Sequence, residues 1–159
     1  MNVSIICVGK LKEKFWTDAC AEYSKRMKGF CGFEITEVDE ERIKNDNSPS
    51  DIRTVIEKEG KRIMSAVPKG AEIIAMCIEG KQKSSEELAG VFEELALSGH
   101  GNIAFIIGGS WGLSDEVKNA ARIKLSMSKM TFPHQLARVM LCEQIYRAFQ
   151  INSGGKYHK

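Results

Sequence analysis

Short apolar runs rich in β-branched residues alternate along the chain with segments of helical period, almost without interruption. That alternation constrains the fold more than any other feature, because strands separated by helices pair in parallel and carry their helices on the two faces of one sheet. The runs near Val3 to Val8, Phe33 to Val38, Glu72 to Ile78, Asn102 to Ile107 and Arg122 to Ser126 predict five strands. Helices are expected at Glu13 to Lys28, Asp51 to Ala66, Ser85 to Leu97, a short one from Ser114, and a long one from Pro133 to about Ile151. Ser84 before Ser85-Glu86-Glu87 supplies an N-cap with acids in the first turn, and Pro133 a fixed φ at a helix start. The polar stretch Ile43 to Ser50 is expected to be the most mobile segment. The result is an α/β fold with a mostly parallel sheet, and the 159 residues contain no linker or repeat that would divide them, so a single domain is expected.

The start, MNVSIICVGKLKEKFW, has too short an apolar run for a signal peptide, and no stretch approaches the roughly 20 apolar residues of a membrane span. The five cysteines are odd in number and form no C-x-x-C pair, as expected of reduced thiols in a cytoplasmic protein. Three scattered histidines give no metal-ligand pattern, and no metal is expected. From Lys118 onward eight basic residues face one acid, Glu143, although the whole chain carries only +2. The first 117 residues are thus net acidic, and the asymmetry fits a polyanionic partner at the C-terminal part; charge that is merely solvated is the other reading.

The last helix has apolar side chains around most of its circumference. Leu141 and Ile145 lie on one side, Val139, Tyr146 and Phe149 on a second, Leu136 and Met140 on a third. One side can pack on the parent sheet, and covering another calls for a second subunit, so a homodimer is expected.

The stretch FIIGGSWGLSD, Phe105 to Asp115, is a strand that breaks at paired glycines and turns into a helix, the place where α/β proteins hold ligands. It does not have the spacing of a dinucleotide or P-loop motif. Two other apolar runs end in comparable loops, Met76 to Gly80 and Met127 to Pro133. Three such ends together are suited to a flat heteroaromatic ligand held by backbone groups and apolar walls, a nucleoside-like site; ordinary turns are the alternative.

IIGGSWG, LSMSKMTFPHQLARVMLCEQIYRAF, the terminal YHK, the initial VGKLKEKFW and the central IEGKQKSSEELA together closely resemble the ribosomal RNA large-subunit methyltransferase H family, small members of the SPOUT superfamily. The resemblance covers essentially the whole chain. It implies a C-terminal deep trefoil knot in the region of about 72 to 159 and S-adenosylmethionine as cofactor. By the same resemblance the cofactor is held at Met76, Gly108 and the stretch Met127, Ser128, Lys129, Met130, Thr131 and Phe132. It further implies a pseudouridine of 23S ribosomal RNA, at the position conventionally numbered 1915, as the substrate methylated on N3; because a dimer of small subunits has little surface for reading sequence, the assembled ribosome is the expected form. Such a reaction needs a group to accept or stabilise the N3 proton; the candidates are His158 and Tyr157 on a tail that in such dimers reaches the partner's pocket, with Arg138 or Lys129 holding phosphate or base oxygens. His134 as a helix cap, Arg138 as a dimer ion pair and the tail as a frayed end are the competing readings. Two departures from the family pattern stand out: Ser153-Gly154-Gly155-Lys156 replaces a run resembling Arg-Gly-Glu, and Met76 replaces a leucine. A non-catalytic RNA-binding protein of the same fold and a knotted methyltransferase of transfer RNA are the alternatives in function.

Overall fold

The computed structural model describes residues 1–43 and 48–159. Ten elements follow in strict alternation: β1 (Asn2–Val8), α1 (Lys14–Met27), β2 (Gly32–Val38), α2 (Pro49–Ala66), β3 (Glu72–Gln82), α3 (Ser85–Leu97), β4 (Asn102–Ile107), α4 (Asp115–Ala120), β5 (Ile123–Ser126) and α5 (His134–Asn152). All five strands join one parallel sheet in the order β2-β1-β4-β3-β5. β1 and β4 occupy its middle, and their residues are almost all buried, as a parallel sheet covered on both faces requires. Alternate residues divide between two cores. Val3, Ile5 and Cys7 face α1, α3 and α5, whereas Ile6 and Val8 face α2 and α4. No helix among the described residues is long and apolar enough to cross a membrane.

Residues 44–47 of the segment expected to be mobile lie outside the described residues. Its end belongs to α2, which begins two residues before the expected Asp51. Ser48 caps the helix, its Oγ accepting from the Asp51 N–H at 3.3 Å, and Pro49 occupies the first position, where its missing N–H costs nothing. α3 opens with a full capping box between Ser84 and Glu87. Pro133 stands one residue outside α5, as its N-cap.

β3 runs four residues past the expected Ile78 because its ladder with β5 is interrupted. Met76 and Lys81 both align with Leu125, so Cys77, Ile78, Glu79 and Gly80 bulge out of the pairing. Gly80 is needed there: a Cβ would stand 2.6 Å from the Leu125 carbonyl carbon.

The reason given for a dimer requires correction. α5 lies between α1 and α3 on one face of the sheet, so Val139, Tyr146 and Phe149 pack, partly buried, against the chain's own core. Only the half-buried Leu136 and Met140 side is left outside the packed core.

Candidate active site

The C-terminal ends of β3, β4 and β5 enclose a cavity of about 690 Å³, a size suited to a nucleoside-containing ligand. One wall is the β3 bulge, a second the loop from Gly108 to Leu113, and a third the loop from Ser126 to Pro133 closed by the first turn of α5. Each wall has a local cause. Gly109 and Gly112 bridge across the second loop, with Gly112 N–H donating to the Gly109 carbonyl at 3.1 Å and Gly112 itself at φ +89°. In the third loop Ser126 Oγ donates to the Ser128 carbonyl, and Ser128 Oγ accepts from the Met130 N–H, both at 3.0 Å.

Met76, Gly108, Met127, Ser128, Met130, Thr131 and Phe132 line this cavity; Lys129, on the same loop, does not. His134 lines it too. Apolar side chains of this lining stand open to solvent, Ile78 82% exposed, Met130 72% and Trp111 39%, beside the exposed Ser110 and Thr131. Glu79, in the Met76 to Gly80 end, and Lys118 were given no role in the site from the sequence, yet they meet at its edge, joined Nζ to Oε1 at 2.5 Å. The Lys118 ammonium holds the Glu79 carboxyl below its ordinary range, and Glu79 raises Lys118 in turn. Burial pushes the Cys77 thiol up.

Arg138 is not a wall of the cavity. Its side chain is 1% exposed, donating to Glu37 Oε1 at 2.6 Å and to the Gly9 carbonyl at 3.0 Å. Glu37 Oε1 also accepts from the Leu11 N–H at 3.2 Å. A buried guanidinium needs such partners to offset its lost hydration, and these tie the start of α5 to the β1–α1 loop. The competing ion-pair reading is thus met within one chain rather than across a dimer.

The tail is neither frayed nor in the chain's own cavity. Tyr157 OH donates to Glu143 Oε1 at 3.2 Å, its ring lies 5.0 Å from that of Tyr146, and the Arg147 guanidinium sits 4.7 Å from its centre. Burial, first among the causes, pushes the Tyr157 phenol up to about 12. His158 Nε2 lies 2.8 Å from Glu86 Oε1 and its Nδ1 3.2 Å from Arg147 Nη1. Arg147, unremarked in the sequence, is the hub of this cluster, bound also to Glu143 at 2.7 Å.

A second buried carboxyl also escaped sequence reasoning. Glu59 is 2% exposed, Oε1 accepts from the Glu41 N–H at 3.0 Å, and Oε2 has no partner among the described residues. It stands behind the second loop, where a Cβ on Gly109 would come within 2.8 Å of Oε2. Burial raises its carboxyl above the ordinary value.

A family model described as a predicted SPOUT methyltransferase matches residues 1–158. Two proteins named ribosomal RNA large subunit methyltransferase H are similar over their whole length and that of this chain: one from Clostridium novyi at 52% identity and one from Bacillus pumilus at 50%, each over 159 residues. Among solved structures, a putative methylase family protein from Neisseria gonorrhoeae superposes with a TM-score of 0.55 at 16% identity, covering 99% of this chain and 86% of that one. A probable methylase family protein from Haemophilus influenzae gives 0.52 at 12%, covering 99% and 70%; both similarities concern the fold. With full-length relatives at half identity and a family model spanning all but the last residue, the chain belongs to the SPOUT methyltransferase family.

Proposed function

We propose that this chain is an S-adenosylmethionine-dependent methyltransferase of large-subunit ribosomal RNA, acting on N3 of the pseudouridine at position 1915 of 23S RNA. The observation that carries the reading is the cavity at three adjacent strand ends in a chain of this family. The residues fit the cofactor: apolar side chains from Met76, Ile107, Leu125, Met127 and Phe132 offer walls for an adenine ring, and the loops between them present backbone groups to its edges. Gly108 lines this cradle, and a Cβ there would stand 2.7 Å from the Gly112 carbonyl oxygen, so a side chain would displace the loop that forms the wall. Met76, Gly108 and the stretch from Met127 to Phe132 are assigned to cofactor binding, Lys129 only through its backbone position in the loop.

When bound, the cofactor supplies a methyl group on a sulfonium that leaves as a neutral thioether. The protein's task is to hold the acceptor nitrogen in line and to take or stabilise its proton. His158 and Tyr157 are assigned to that task, working in the pocket of a partner subunit. Arg138 is assigned a positioning role, since it fixes the first turn of α5 against the β1–α1 loop. The enzyme is read as a cytoplasmic homodimer of single-domain subunits, knotted in the region 72–159, with the assembled ribosome as substrate.

The test is methyl transfer from labelled cofactor to free 23S RNA, separate subunits, intact ribosomes and transfer RNA, all lacking the modification. Label at pseudouridine 1915 of the intact ribosome is expected. Label in transfer RNA alone would move the chain to another substrate, and none in any of them would make it a non-catalytic binder.

A further inference from the structure

The β3 bulge is not explained by sheet geometry alone. Four residues, Cys77 to Gly80, leave the ladder between two pairings that use the same Leu125, and a bulge beside a site re-aims side chains. Here it brings Glu79 to the cavity edge, where Lys118 from α4 fixes the carboxylate through Oε1. Ile78, Trp111 and Met130 are exposed apolar residues of the same lining, and its other exposed polar side chains, Ser110 and Thr131, carry no charge. Among the described residues, Glu79 is the one carboxylate lining the cavity. An ionised carboxylate only accepts hydrogen bonds, through about four lone-pair sites on two oxygens, and Lys118 engages one of them.

A nucleoside in such a cavity presents two adjacent donors that suit two carboxylate oxygens, the 2′ and 3′ hydroxyls of its ribose. Adenine offers its donors at one amino group, which presents no pair of hydroxyls on adjacent carbons. A ribonucleic acid backbone offers phosphate, which a carboxylate repels.

We propose that Glu79, presented by the β3 bulge and oriented by Lys118, binds the ribose diol of the nucleoside cofactor and makes the site selective for a ribonucleoside. This rests on the reading of the cavity as a cofactor site, and it adds a specificity residue within the Met76 to Gly80 end, where the sequence assigned binding to Met76 alone. Glu79 is a ligand-contacting residue; Lys118 acts through it.

The experiment is calorimetric titration of the full-length protein with S-adenosylhomocysteine and with its 2′-deoxy and 3′-deoxy analogues. It is done for the native chain, Glu79→Ala and Lys118→Ala. Glu79 has a side chain 45% exposed, so its removal leaves the core untouched. The native chain is expected to bind the deoxy analogues about 10- to 100-fold more weakly, the range for a hydrogen bond to a charged group. Glu79→Ala is expected to lose a similar factor for the parent ligand and to bind all three alike. Lys118→Ala, which keeps the carboxylate but loosens it, is expected to retain part of the discrimination. A Glu79→Ala protein that still discriminates against the deoxy analogues overturns the assignment, as does one whose affinity for the parent ligand is unchanged. Weaker binding of 23S RNA with unchanged S-adenosylhomocysteine affinity would place the pair on the RNA and also overturn it. If the native chain binds none of the three, the cofactor reading of the cavity falls and the assignment falls with it.

Discussion

Gly108 has an ordinary backbone conformation, so its importance is one of space. A Cβ would meet the Gly112 carbonyl oxygen at 2.7 Å and Leu113 Cδ2 at 3.0 Å, which means that a side chain first displaces the loop and only then intrudes on the ligand. Gly108→Val is expected to abolish cofactor binding in calorimetry while circular dichroism stays native, with stability lowered by about 1–3 kcal/mol for the overpacking. Glu59 has a different signature. Its folded value lies above the ordinary 4.5, so the folded chain holds that proton more tightly than the unfolded chain, and the carboxylate form is the one penalised. Its contribution to stability is therefore most favourable below about 4.5 and declines as pH rises through the raised folded value. Glu59→Gln keeps an oxygen for the Glu41 N–H and removes the charge. It is expected to flatten that slope, so that urea unfolding shows a larger gain relative to the native chain at pH 8 than at pH 5.

The strands and helices were legible because each is encoded locally, by β-branched runs such as Asn102–Ile107 and by caps such as Ser84. The three loops of the site were legible for the same reason, since apolar runs that end in glycine or serine mark strand ends. What pairs across the chain was not. Arg138 and Glu37 are 101 residues apart in sequence, and no local pattern announces their contact. The β3 bulge shows only in its pairing with β5, which passes close to Gly80, and residues 79–82 read as loop until that partner is known. α5 misled for a related reason: its apolar circumference is satisfied largely by α1 and α3, which periodicity cannot place beside it. The side outside the packed core is that of Leu136 and Met140, and it is the one that the proposed dimer would cover. Met140→Asp is expected to turn a dimer that persists at micromolar concentration into a monomer in sedimentation, because an unpaired buried charge costs several kcal/mol. A native chain that sediments as a monomer would refute the interface.

The tail closes the functional reading. Tyr157 and His158 are held by Glu143, Arg147 and Glu86 on the outer side of α5 and α3, away from the cavity of their own chain. Deleting Tyr157 to Lys159, or His158→Ala, is expected to lower single-turnover methylation of unmodified ribosomes about 100- to 10,000-fold, with dimerisation and most cofactor affinity retained. Unchanged turnover would direct attention to His134, which lines the cavity. The sheet order also governs how such a chain comes to be folded. β1 is the first strand made, yet one of its two neighbours, β4, begins a hundred residues later, and the last long helix supplies the middle of one face. Closing loops of that length before their contacts form is slow. A nascent chain lacking α5 leaves Ile5, Phe105 and Phe92 without their cover. Chains ended before His134 are therefore expected to fail to fold cooperatively in urea titration, and the full chain to refold slowly for its size. During synthesis, the sheet is committed only once nearly every residue has left the ribosome.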